Sequence, residues 1–303
     1  MFSPEGVYAA MLTPFGANGR INVPAIRDMV DFFVSKGIQG VFPVSNVGEH
    51  IQLSEDEKRL FVEAAIEQAG GRIKVVPGIS SPGTEQSVKF AEFCADAGAD
   101  AVVLSAPYYF SYPQEVVCDA MSSIASKSKI PVILYNIPLF ANRIGFDTFK
   151  KLLQIDSIVA MKDSSGSISD LLAFLDIAKQ REGFRILVGW EEMLLSAMAV
   201  GASGCMVASG GILPEIMEGI FTLARDGNFN KAARLQAVLA KATSAMKTVF
   251  FPYGYRLAME ARGFPMGKFK IEIDEERYVQ SKKAIQAAVD EALKSWVDMA
   301  GTL

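Results

Sequence analysis

The sequence has a single histidine, His50, among 303 residues. A histidine-rich zinc site is therefore excluded, and an ordinary Ser-His-Asp triad has only His50 to draw on. Carboxylate-held magnesium is not excluded by that scarcity. Cysteine is almost as rare. Cys94, Cys118 and Cys205 are far apart and odd in number, which suits reduced thiols better than a disulfide framework. Long apolar runs are missing, and the opening Met1-Phe2-Ser3-Pro4-Glu5-Gly6 lacks the charged-then-apolar pattern of a secretory leader. The expectation is a soluble cytoplasmic protein with no membrane span. Nor is there an excess of positive charge: the net charge is −4, and the 30 lysines and arginines are scattered. That pattern matches neither a nucleic-acid footprint nor a basic membrane-surface helix. Any chemistry must rest mainly on Lys, Tyr, Glu, Asp and backbone groups.

Hydrophobic residues, by contrast, make up 50% of the chain, enough for a sizeable core. Eight short apolar runs recur at 7–12, 40–45, 74–79, 101–106, 131–137, 157–162, 185–190 and 204–209. Segments with helical spacing lie between them, among them 23–36, 54–69, 84–97, 113–127 and 191–200. Strands alternating with helices imply right-handed βαβ units and a parallel sheet. Eight such repeats predict an α/β fold of the (β/α)8 TIM-barrel type. The missing Gly-rich dinucleotide fingerprint after the first strand argues against a doubly wound sheet. Beyond Gly211 the pattern is helical, with segments 214–225, 229–249, 253–262 and 278–299 and a turn-rich break at Gly263-Phe264-Pro265-Met266-Gly267. The predicted organisation is a catalytic barrel over 1–225 and a C-terminal helical region over 226–303. Its apolar faces pack on the barrel or on a neighbouring subunit.

In such a barrel the active site lies at the C-terminal ends of the strands. The residues found there are Thr13-Pro14, Asn46-Val47-Gly48-Glu49-His50, Pro107-Tyr108-Tyr109, Tyr135-Asn136, Lys162-Asp163, Trp190-Glu191-Glu192 and Ser209-Gly210-Gly211. This set holds one amine, several phenols and a few carboxylates, and it lacks a metal cage. Lys162 stands where an apolar run breaks into a Ser/Gly turn. A lysine partly removed from water loses basicity, and its neutral amine can attack a carbonyl to form a Schiff base. The alternative is a lysine that snorkels to solvent from a strand end. Tyr135 ends the preceding strand, and neighbouring strands lie about 5 Å apart. A phenol there can shuttle the protons that imine chemistry requires, or it can simply pack on a helix. The loop around Gly48 offers backbone N–H groups to a carboxylate or phosphate, or is an ordinary turn. His50 reads as a loop residue. The glycines at 201, 204, 210 and 211 read as close-packing residues rather than as a phosphate cradle.

The ordered set Leu12-Thr13-Pro14-Phe15, Gly48-Glu49, Pro107-Tyr108-Tyr109, Tyr135-Asn136-Ile137-Pro138 and Lys162-Asp163-Ser164-Ser165-Gly166 resembles the dihydrodipicolinate synthase/N-acetylneuraminate lyase family. These are class I, pyruvate-handling aldolases on a (β/α)8 barrel with a C-terminal helical region. The likeness runs from about Val7 to the Arg262-Gly263-Phe264-Pro265 stretch. It implies that Lys162 is the Schiff-base lysine and Tyr135 its proton-shuttling phenol. It implies that Tyr109 completes a proton relay across a subunit interface, and that Gly189 and Met206 line the pyruvate end through their backbones. It also implies a homotetramer or homodimer, and no dissociable cofactor or metal.

Two departures from the family pattern stand out. Asn46-Val47 replaces two adjacent hydroxyl residues, leaving backbone N–H groups to bind a carboxylate. Phe140 replaces an arginine two residues after Tyr-Asn-x-Pro, and Arg143 lies three residues further on. The second departure removes the usual partner of an aldehyde that carries its own carboxylate. In the resemblance, Trp190-Glu191-Glu192 occupies a place where neuraminate-lyase-like members have an aromatic and two acids. Such acids accept hydrogen bonds from sugar hydroxyls, or else complement the dipole of the helix that follows. The favoured expectation is a lyase acting on pyruvate and a 2-keto-3-deoxy sugar acid. The alternatives are dihydrodipicolinate synthase proper, condensing pyruvate with aspartate semialdehyde, a non-catalytic keto-acid binding protein, and a barrel enzyme for a phosphorylated substrate.

Overall fold

The computed structural model describes residues 2–300; Met1 and residues 301–303, the outer ends of the two predicted regions, lie outside it. The strands are β1 (Gly6–Ala10), β2 (Gly40–Phe42), β3 (Lys74–Val75), β4 (Val102–Ser105), β5 (Val132–Asn136), β6 (Ile158–Asp163), β7 (Arg185–Val188) and β8 (Gly204–Val207). The first six helices are α1 (Val23–Ser35), α2 (Glu55–Ala69), α3 (Thr84–Ala97), α4 (Gln114–Lys127), α5 (Phe146–Leu152) and α6 (Ile168–Ala178). They are followed by α7 (Leu194–Ala199), α8 (Ser209–Ile212), α9 (Pro214–Arg225), α10 (Phe229–Met246), α11 (Tyr253–Ala261) and α12 (Val279–Ala300).

All eight strands pair in parallel, in the order β3-β2-β1-β8-β7-β6-β5-β4. A parallel bridge between Gly78 and Val103 joins the two ends, with the Val103 N–H donating to Pro77 O at 2.8 Å and the Ile79 N–H to Val103 O at 2.9 Å. The result is the expected (β/α)8 barrel. Its strands are buried along almost their whole length, as a sheet covered on both faces requires.

Local chemistry places the helices. Asn22 caps α1, accepting from the Ala25 N–H, with Pro24 in the first turn. Ser54 and Glu57 form a reciprocal capping box at the start of α2. The strands are shorter than the apolar runs that announced them. Past the paired residues the chain stays buried but turns into loops, as where Ser45 Oγ donates to Met11 O at 2.9 Å. Apolar runs report burial, and burial continues after pairing stops. The seven-residue α5 has too few turns to show a period.

The helix α9 packs against β1 and serves as the eighth barrel helix, and α10 packs on α9. Residues of the C-terminal region, including Leu235, Leu239, Met246 and Tyr255, join the same buried cluster as the barrel. One clamp ties this region to the strand ends. The guanidinium of Arg256 on α11 donates to Thr13 O at 2.9 Å, to Met266 O at 2.7 Å and to Glu49 Oε1 at 3.0 Å. Both Arg256 and Glu49 are almost fully buried, so removing either would strand an unpaired charge. Among the described residues no helix is long and apolar enough to cross a membrane.

Candidate active site

The register of β5 on β6 sets Tyr135 beside Lys162 and Asn136 beside Asp163. The second pair is locked: Asn136 Nδ2 donates to Asp163 Oδ1 at 2.7 Å, and the Ile144 N–H donates to Asn136 Oδ1 at 3.0 Å. Ser165 adds its hydroxyl to Asp163 Oδ2 at 2.8 Å. These bonds hold the strand ends rigid under the first pair.

Lys162 is only 4% exposed, so the snorkelling alternative does not hold. Its Nζ lies 4.0 Å from the centre of the Tyr135 ring and 5.0 Å from that of Phe42. Burial lowers its pKa to about 7, with the Glu191 carboxylate opposing. Burial also raises the Tyr135 phenol well above its ordinary range, keeping it protonated and able to donate. The neighbouring Ser164 Oγ is buried and has no hydrogen-bond partner among the described residues. Gly189 makes room for both groups: a Cβ there would lie 1.8 Å from Ser164 Oγ and 2.7 Å from Lys162 Cε. Only glycine fits this approach.

The loop after β2 forms the opposite side. Its backbone is forced, with Val44 at φ 56° and Glu49 at φ 60°, a conformation costly for side-chain-bearing residues. It is pinned by the Gly48 N–H donating to Ser45 Oγ at 3.1 Å and by Thr13 Oγ1 donating to Gly48 O at 2.5 Å. A Cβ on Gly48 would meet Met11 O at 2.5 Å, so this glycine is required by space as well. The N–H groups of Asn46 and Val47 enter no backbone hydrogen bond of the loop.

These residues surround a cavity of about 330 Å³, at the small end for a ligand pocket. Of the residues singled out in the sequence, Lys162, Tyr135, Asn46, Val47, Gly189, Glu191 and Met206 all line it. Glu191 is buried, accepts from Ser209 Oγ at 3.2 Å and takes a hydrogen bond from the Tyr255 phenol. Burial raises its pKa.

Two expected residues are not brought in. Glu192 does not line the cavity, because its carboxylate is held by Lys247 Nζ at 2.5 Å and Thr243 Oγ1 at 2.9 Å. Adjacent residues on a tight turn point apart, and α10 supplies partners for the second acid. Tyr109 lies outside the cavity of its own chain and is 90% exposed at φ 76°. His50 lines a separate neighbouring cavity and rests edge-on against Tyr108; burial lowers it to about 4. Gly204 and Gly211 are close-packing residues, against Gly6 and Phe33.

The sequence reading missed Tyr255, Lys247, Met246 and Phe251, which bring the C-terminal region into the cavity wall. The one available signal was Tyr253-Gly254-Tyr255-Arg256, a stretch buried on every side although it carries phenols and a guanidinium. Among the described residues no cluster of His, Cys, Asp and Glu could hold a metal ion.

Comparison with known proteins agrees with this geometry. Residues 3–288 match the model of the Dihydrodipicolinate synthetase family. A probable 2-dehydro-3-deoxy-D-pentonate aldolase of Escherichia coli is 31% identical over 267 residues, covering 86% of this chain and 88% of its own. A 4-hydroxy-tetrahydrodipicolinate synthase of Methanococcus vannielii is 30% identical over 273 residues, covering 89% and 93%. The solved structure of the 4-hydroxy-tetrahydrodipicolinate synthase of Methylacidiphilum fumariolicum superposes with a TM-score of 0.91 at 25% identity, covering 98% of this chain and 99% of that one. With a buried lysine and phenol side by side at the mouth of a (β/α)8 barrel, the chain belongs to the dihydrodipicolinate synthetase family and is one of its Schiff-base aldolases or lyases.

Proposed function

We propose that this enzyme makes or breaks the C3–C4 bond of a 4-hydroxy-2-keto acid of the 2-keto-3-deoxy sugar-acid class, with pyruvate as one product or substrate. The observation that carries the reading is the desolvated Lys162 amine against the Tyr135 ring, in a cavity with unused N–H groups on its far side. In the cleavage direction the substrate carboxylate sits on the Asn46 and Val47 N–H groups. The Lys162 amine attacks C2, and loss of water leaves a protonated imine. Tyr135 gives its proton to the departing hydroxyl in that step, and the phenolate so formed takes the proton of the C4 hydroxyl as the C3–C4 electron pair flows into the imine. The aldehyde departs, the enamine is protonated at C3, and hydrolysis returns pyruvate and the free amine.

No dissociable cofactor enters this sequence. The relative named a probable 2-dehydro-3-deoxy-D-pentonate aldolase supports the substrate class. Condensation with aspartate semialdehyde, the chemistry of the synthase relatives, is less well supported because Phe140 lines the cavity where an arginine is expected. A keto-acid binding protein would bind pyruvate without turnover.

The test is pyruvate release from 2-keto-3-deoxy acids as a function of pH. A lysine lowered from 10.5 to about 7 is mostly cationic below pH 7 and mostly neutral above it. kcat/KM should therefore climb about tenfold per pH unit below 7 and flatten above it. Absence of pyruvate release from any 2-keto-3-deoxy acid, or a rise that continues to pH 10, would refute the reading.

The proposed assembly is a homotetramer or homodimer in the cytoplasm. Tyr109 and Phe110 are 90% and 63% exposed and stacked edge-on at 4.9 Å, an apolar surface that needs cover. A second copy placed there would cover both rings. The three cysteines are free and buried, in keeping with a reducing compartment. Light scattering at micromolar concentration is expected to give a multiple of the 32.8 kDa chain mass; a monodisperse monomer would overturn the assembly.

A further inference from the structure

The cavity changes character from its floor to its mouth. The floor carries Lys162, Tyr135 and Glu191, all nearly inaccessible. The outer wall is mostly hydrocarbon, Leu139, Phe140, Met246, Val249 and Phe251, with Trp190 and Lys247 also in the lining. Three of these reach well into solvent, with Leu139 68%, Phe140 44% and Phe251 46% exposed. The Phe140 and Phe251 rings lie 5.4 Å apart and tilted, bridging the loop after β5 to the segment before α11. They form one continuous surface with the lysine floor.

The charges around this wall are already committed. Lys247 is bonded to Glu192 and sits 4.7 Å from the centre of the Trp190 ring. Arg143, the arginine nearest in sequence, pairs with Asp170 at 3.0 Å, lies over Phe146 and does not line the cavity. A substrate that brought a carboxylate or phosphate to the mouth would meet, among the described lining residues, only the Lys247 ammonium, already bound to Glu192, and would lose water to reach it. The floor can satisfy hydroxyl groups close to the imine, where Glu191 and Ser164 line the cavity. Further out, hydroxyls would lose water against carbon.

We propose that the aldehyde half of the substrate is uncharged and ends in hydrocarbon, a methyl, longer alkyl or aryl terminus, with its hydroxyls confined to the carbons next to the cleaved bond. The wall of Phe140, Phe251, Leu139, Met246 and Val249 is the specificity determinant for that terminus. This inference rests on the Schiff-base reading above and narrows its substrate class from sugar acids in general to those whose far end is deoxygenated.

The experiment runs the full-length enzyme in the condensation direction with pyruvate. Glyceraldehyde, lactaldehyde, 2-hydroxybutanal, 2-hydroxyhexanal and succinate semialdehyde serve as acceptors. Each added methylene should raise kcat/KM by about fourfold until the wall is filled. Lactaldehyde should exceed glyceraldehyde, and the anionic acceptor should be the poorest by at least about tenfold. Phe140→Arg should reverse the ranking of 2-hydroxyhexanal and succinate semialdehyde. A preference for glyceraldehyde or for the anionic acceptor, or indifference to chain length, overturns the inference. Borohydride trapping of pyruvate on Lys162 separates the two levels. If the adduct forms and the ranking fails, the apolar terminus is wrong and the Schiff-base reading stands. If no adduct forms, the Schiff-base reading falls and takes this inference with it.

Discussion

Lys162→Ala is expected to abolish both turnover and the covalent adduct formed with pyruvate and borohydride. In the unaltered enzyme that adduct should add one pyruvyl mass, on Lys162 alone. The chain has many lysines, but this one is 4% exposed and lies against two aromatic rings, with its pKa lowered to about 7. An exposed lysine near its ordinary pKa of about 10.4 is neutral in less than about one molecule in a thousand at pH 7. Selectivity for Lys162 follows from that difference. The loss should be on the order of 10⁴–10⁶-fold, the scale on which deletion of a covalent nucleophile acts. Peptide mapping after reduction decides the matter. Label on another lysine, or undiminished label in the variant, would remove the mechanism.

The second large effect belongs to Tyr135→Phe. The ring stays, so the packing against Lys162 and the 6.2 Å edge contact with Phe42 are preserved. Only the hydroxyl leaves, and the groups that act on it are Ser164 and Glu191. Stability should change by no more than about 1 kcal/mol, the usual net worth of a single hydrogen bond. Turnover should fall about 10²–10⁴-fold, the typical contribution of a positioned acid–base group. A melting temperature close to that of the parent with a collapsed kcat assigns the phenol a role in proton transfer. Near-parental turnover would mean that another group, Ser164 or Glu191, moves the proton.

The fold is largely legible in the sequence. Each barrel strand is buried on both faces, so it writes a short apolar run into the sequence whatever its partners are. The eight runs at 7–12 through 204–209 therefore counted the strands correctly, and the parallel alternation left one common closure. Lys162 and Tyr135 were legible for a related reason. Consecutive strands of such a barrel are neighbours, so the ends of the fifth and sixth runs had to meet. The register that pairs them confirms it residue by residue.

What the sequence could not determine was which of the residues beyond the strands turn inward. Glu191 and Glu192 are adjacent and chemically alike, yet one lines the cavity and the other is bound to Lys247, fifty-five positions away. No local pattern distinguishes them, because the choice depends on where α10 brings its ammonium. The same holds for the mouth. Phe140 reads as a departure from a family motif, and Phe251 as an apolar residue before a helix. Only when the C-terminal region folds back over the strand ends do they meet and become a wall. Periodicity encodes burial one element at a time, and so the sequence by itself determined the barrel and the meeting of Lys162 with Tyr135. The character of the cavity is a sum over side chains carried in from distant elements, and that sum exists only in the tertiary structure.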